Sequence, residues 1–134
     1  MVTHQDIESF LDRLSADGAT HTEVSDGIWN VHPAGALDFG VVVNYAPPVV
    51  VLRIKVMDLP ASGPQRVALE HRLLELNASG LLHGSYGIQK NEVVLTAALE
   101  LERLDFENFL SAYESITLAL ASHIRELASF REAR

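Results

Sequence analysis

The chain has 134 residues, 48% hydrophobic and 21% charged, which excludes a mostly disordered polymer and provides for one self-supporting core across residues 1–134. It contains no cysteine, so disulfides, thiolate nucleophiles, cysteine-ligated zinc and iron–sulfur clusters are excluded together. Ten Lys and Arg against 18 Asp and Glu give a net charge of -8, which sets the surface as a whole against nucleic acid and anionic membrane.

The opening residues lack the basic and apolar regions of a signal peptide, and no run has the length of a membrane span, so a cytoplasmic protein is expected. Thr3 and Asp6 form the pattern of a capping box, and Ile7, Phe10, Leu11 and Leu14 follow at helical spacing. A first amphipathic helix is predicted, ending near Asp17-Gly18.

From Thr20 to Leu59 the period changes to 2, with turn signals at Ser25-Asp26-Gly27, His32-Pro33-Ala34-Gly35 and Ala46-Pro47-Pro48. Three strands are predicted, over Gly27–His32 with Thr20–Val24 leading in, Asp38–Tyr45 and Val49–Met57. In the third, Leu52, Ile54 and Val56 share one face while Val51, Arg53, Lys55 and Met57 share the other.

Pro60 ends that strand, and Gly63-Pro64 opens a second helix that runs to about Asn77. Leu69, Leu73 and Leu76 make one apolar stripe on it, and Val67, Leu74 and Ala78 make a second stripe almost opposite. A helix apolar on two sides needs two partners: the sheet of its own chain, and either a neighbouring helix or a second subunit. Val67, Leu74 and Ala78 are therefore candidate dimer-interface residues.

Gly80–Gln89 and Asn91–Arg103 read as a hairpin. A long helix of about 26 residues then starts at Asp105, its stripe set by Phe106, Phe109, Leu110, Tyr113, Ile116, Thr117, Leu120, Ile124 and Leu127. The expected class is α+β, a curved antiparallel sheet of about five strands backed by three helices in the order α-β-β-β-α-β-β-α.

No catalytic, cofactor or metal signature emerges. The six histidines, His4, His21, His32, His71, His83 and His123, contain no pair at the spacing of a metal face on one element. His83-Gly84-Ser85-Tyr86-Gly87 is one residue too short between its glycines for a nucleophile elbow, and Gly84 and Gly87 suit a bulge or tight bend. Gly35–Gly40 lacks the Lys-Ser/Thr of a phosphate loop. Glu100 and Glu102 share the outer face of a strand, where cross-strand pairing with Arg53 and Lys55 is expected.

Residues Leu73 to Ala78, Gly84-Ser85-Tyr86-Gly87-Ile88, Val93 to Leu99 and Leu104-Asp105 give the chain a resemblance to the type III secretion chaperone-like superfamily, in its Tir-chaperone (CesT) and YbjN branches. The resemblance implies a small acidic homodimer whose sheet and helices bind another protein on apolar patches. It carries no export role, because nothing in the sequence indicates a secretion system.

The function expected is a non-enzymatic, homodimeric protein-binding module. Trp29, Val42, Val51, Met57 and Val94 are the candidate partner-binding residues, as apolar positions on the less buried sheet face or its edge. The charge favours a basic partner surface, such as that of a nucleic-acid-handling protein, with no nucleic acid contact by this chain. Glu100, Glu102, Asp105, Glu107 and Glu114 are the candidate acidic surface. The alternative is an enzyme or small-ligand binder using His32, His83 and Ser85 in a pocket between the sheet and the long helix.

Overall fold

The computed structural model describes residues 1–35 and 37–132, the side chain of residue 132 excepted. Its elements run α1 (His4–Ser15), β1 (Thr20–Ser25), β2 (Ile28–His32), β3 (Val41–Ala46), β4 (Val49–Asp58), α2 (Pro64–Ser79), β5 (Ser85–Gln89), β6 (Glu92–Glu100) and α3 (Phe106–Ala128), with a closing 3-10 turn at Ser129–Glu132. The six strands form one antiparallel sheet in the order β1-β2-β3-β4-β6-β5. The predicted class and order hold, with one strand more than expected. Asp26-Gly27 bends the chain sharply, Gly27 at φ +76°, so Thr20–Ser25 is a strand of its own paired with β2.

Local chemistry explains the helix ends. Thr3 accepts from the Asp6 amide at 3.2 Å while the Asp6 carboxylate accepts from the Thr3 amide at 2.9 Å, completing the predicted box. These bonds hold the Asp6 carboxyl below its ordinary pKa range. Asp105 caps α3 by accepting from the Asn108 amide at 2.8 Å. Lys90 and Asn91, both at positive φ, form the tight turn between β5 and β6.

Along the sheet, Val43, Leu52 and Ala97 stand side by side, as do Ile54, Leu95 and Tyr86, and these residues point into the core. Ile7 and Leu11 of α1, Leu69 and Leu73 of α2 and Phe109, Ile116 and Leu120 of α3 cover them. Burial of so many full-sized apolar side chains, each worth about 1.5–3 kcal/mol, is what drives the helices onto this face. The opposite face carries Val42, Val51, Arg53 and Lys55, which remain partly or fully exposed.

Two departures from simple alternation matter. A bulge between Lys55 and Met57 pairs Lys55 with Val94 but Met57 with Val93. The extra residue resets the parity of β4, so Met57 joins the core at 4% exposure instead of sharing the face of Val51. The antiparallel register also places Arg53 opposite Thr96 and Glu100 opposite Val49, so the expected pairing of Glu100 and Glu102 with Arg53 and Lys55 does not form. Lys55 lies instead 3.1 Å from Asp58 and 3.2 Å from Glu92, and these two bonds raise its pKa. No helix among the described residues is long and apolar enough to cross a membrane.

Candidate functional site

The second stripe predicted on α2 stays on the surface. Leu69, Leu73 and Leu76 are buried against the sheet, while Val67 is 64% and Leu74 69% exposed, with Ala78 exposed beside them. A neighbouring helix of the same chain does not cover it. Leu82, in the loop after α2, is 92% exposed, and Ile88 on β5 is 47% exposed. Because α2 packs beside β5, the edge strand of the sheet, two exposed apolar features belong to one end of the molecule. An edge strand also offers unpaired backbone groups to another chain.

Asn77 holds this end together. Its side-chain amide donates to the Tyr86 carbonyl at 3.1 Å, and its carbonyl accepts from the Tyr86 amide at 2.7 Å. On the other side of α2, Arg72 donates to both oxygens of Glu126 on α3, at 2.7 and 3.2 Å. The outer stripe is thus presented by a helix anchored to both β5 and α3.

Of the five residues expected to bind a partner, three are not available on the surface. Trp29 is fully buried, its indole N–H donating to Glu8 of α1 at 3.0 Å. This bond lets the indole enter the core with its polar atom satisfied. Met57 is buried by the β4 bulge. Val94 lies on the outer face but is only 5% exposed, standing between Lys55 and Gly87 in the neighbouring strands. Val42, at 37%, and the half-buried Val51 remain, on adjacent strands of the face away from the helices. Glu100, Glu102, Asp105, Glu107 and Glu114 are all exposed.

The pocket reading fails on geometry. His32 on β2 and Ser85 on β5 are separated by four strand spacings, roughly 19 Å, so they cannot converge with His83 on one substrate. A cavity of about 420 Å³ does lie between sheet and α3, lined by Leu37, Phe39, Lys55, Val56, Ile124 and Arg131, but none of the three residues reaches it. His32 lines a separate shallow hollow with Asp38, Phe39 and Gly40. Ala36, within the Gly35–Gly40 stretch, lies outside the described residues.

A smaller cavity of about 160 Å³ sits where α1, the β2–β3 loop and α3 meet, lined by Leu14, Pro33, Leu110, Tyr113, Thr117 and Leu118 among others. The Tyr113 hydroxyl has no hydrogen-bond partner, the one such buried side-chain atom among the described residues. Burial pushes its pKa up to about 12, the Glu114 carboxylate adding to the effect. Sequence periodicity places Tyr113 on the core stripe, but nothing local shows that its hydroxyl ends without a partner. Leu82, Ile88 and the 63% exposed Leu118 were likewise missed, Leu118 because it lies one position outside the buried stripe.

One chain of the heterodimeric ExoU-SpcU complex from the type III secretion system of Pseudomonas aeruginosa matches with a TM-score of 0.66 and 17% identity, over 94% of this chain and 98% of that one. YbjN from E. coli matches at 0.62 and 12%, over 94% and 96%. A chain of the HopA1-SchA chaperone-effector complex matches at 0.56 and 14%, over 97% and 96%. No curated protein matches the chain significantly. At these identities the likeness is one of fold. The sequence itself matches the CesT_Tir_1 family model over residues 1–133, and the chain belongs to the CesT_Tir_1 family.

Proposed function

We propose that the chain is a non-enzymatic, homodimeric protein-binding module, chaperone-like or regulatory, that holds a partner protein on apolar patches set in an acidic surface. The observation that carries this is the outer stripe of α2: Val67 and Leu74, two turns apart, are each about two-thirds exposed on a helix whose opposite side is buried. An apolar stripe anchored on a fixed helix is what an isologous contact with a second copy requires. Val42 and Val51 on the helix-free sheet face then offer the partner site, and the exposed carboxylates from Glu100 to Glu114 favour a basic partner such as a nucleic-acid-handling protein. Two of the similar solved chains come from complexes with another protein, ExoU-SpcU and the HopA1-SchA chaperone-effector pair, which supports the reading.

Light scattering on the purified chain tests the dimer: twice the chain mass is expected, and Leu74→Glu should give a monomer. An unchanged dimer for Leu74→Glu and Val67→Glu together would move the interface elsewhere. For the partner, affinity capture from the native cell should recover a basic protein that Val42→Glu and Val51→Glu both lose. Turnover of a small molecule with no protein bound would overturn the proposal.

A further inference from the structure

His4 at the start of α1, Glu23 on β1 and Asp26 in the β1–β2 turn come from separate elements, yet each offers a ligand atom within 4.8 Å of the other two. His4 Nε2 lies 2.9 Å from Glu23 Oε2 and 3.7 Å from Asp26 Oδ1. Three ligands around a tetrahedral ion at about 2.1 Å stand roughly 3.4 Å apart, so small side-chain rotations convert this cluster into a coordination shell. We propose that His4, Glu23 and Asp26 form a binding site for a divalent transition-metal ion of the zinc class, which clamps the N-terminus of α1 to the β1–β2 hairpin.

Two of the three ligands are already held in place. The His4 ring packs against Trp29 with centroids 5.0 Å apart and meets Tyr45 edge-on at 6.0 Å. Glu23 Oε2 is fixed by the Gly27 amide, which donates to it at 2.9 Å, and by a hydrogen bond with His4 Nε2, which an incoming ion would replace. The Asp26 carboxylate is fully exposed and rotates freely into position. One imidazole and two carboxylates form a borderline donor set that suits zinc, cobalt or nickel, and three protein ligands leave room for water. An open hollow lined by His4, Glu8, Asp12 and Glu23 adjoins the site and adds negative charge, offsetting the unfavourable field of the helix N-terminus on a cation.

The indole of Trp29, the only tryptophan, is the built-in reporter. Titration of the full chain with zinc chloride and nickel chloride should show saturable binding of one ion by calorimetry. Nickel should quench Trp29 emission, and zinc should raise the melting temperature. Magnesium should do neither. His4→Gln, Glu23→Gln and Asp26→Asn should each weaken binding at least tenfold, whereas His71→Gln, at an exposed site on α2, should not. Asp26→Asn alters a wholly exposed side chain, so its effect is independent of folding. Absence of zinc binding at millimolar concentration, or binding that survives all three substitutions, would overturn the assignment.

Discussion

The Tyr86 hydroxyl lies 2.8 Å from Nδ1 of His123, joining edge strand β5 to the last third of α3. Burial drives the Tyr86 pKa far above its ordinary value, so the phenol stays protonated at any physiological pH. Burial also holds the His123 pKa below the usual histidine range; the Glu126 carboxylate opposes this and the Arg72 guanidinium reinforces it.

This arrangement makes stability pH-dependent. With the folded value depressed, the unfolded chain binds the proton more readily, and stability rises with pH between the two values. The contribution is fully present above the unfolded value of about 6.5 and is lost as pH falls through the folded one. Urea midpoints should therefore drop on acidification from about pH 7 to about pH 5, and His123→Phe should flatten that drop. A midpoint that rises over the same interval would contradict the assignment.

Tyr113→Phe removes a buried hydroxyl that has no partner among the described residues. Stability should be unchanged or higher by up to about 1 kcal/mol in urea unfolding, because no internal bond is lost. A loss of more than that would show that the hydroxyl is bonded in solution.

Gly84 and Gly87 should behave oppositely. A Cβ at Gly84 would stand 2.5 Å from the Thr96 carbonyl oxygen, on a backbone at φ +77°. Gly84→Ala should cost about 1–3 kcal/mol. Nothing lies within 4 Å of a Cβ at Gly87, so the glycine there meets no steric demand and Gly87→Ala should be neutral or slightly stabilising in a thermal melt.

The β4 bulge gives Met57 and Val51 different weights, although simple alternation would put them on one face. Met57→Ala should cost about 2–5 kcal/mol as a core cavity. Val51→Ala, on the half-buried outer face, should cost less than about 1 kcal/mol. Equal losses in denaturant titrations would mean that the bulge does not persist.

Much of this protein follows from local pattern. The helices, the α1 capping box and the α2 double stripe were legible because periods of 3.6 and 2, and the capping pattern of Thr3 and Asp6, are set by residues within a turn or two of each other. The family resemblance rests on those same elements. Tertiary structure alone decided what depends on register between distant segments. The bulge between Lys55 and Met57 turned one predicted surface residue inward, and the β4–β6 register gave Lys55 to Glu92. Trp29 found a partner for its indole N–H in Glu8, 21 positions away, and His4 met Glu23 and Asp26 across a helix and a hairpin. Such encounters leave no periodic trace in the chain, because they arise only when whole elements pack.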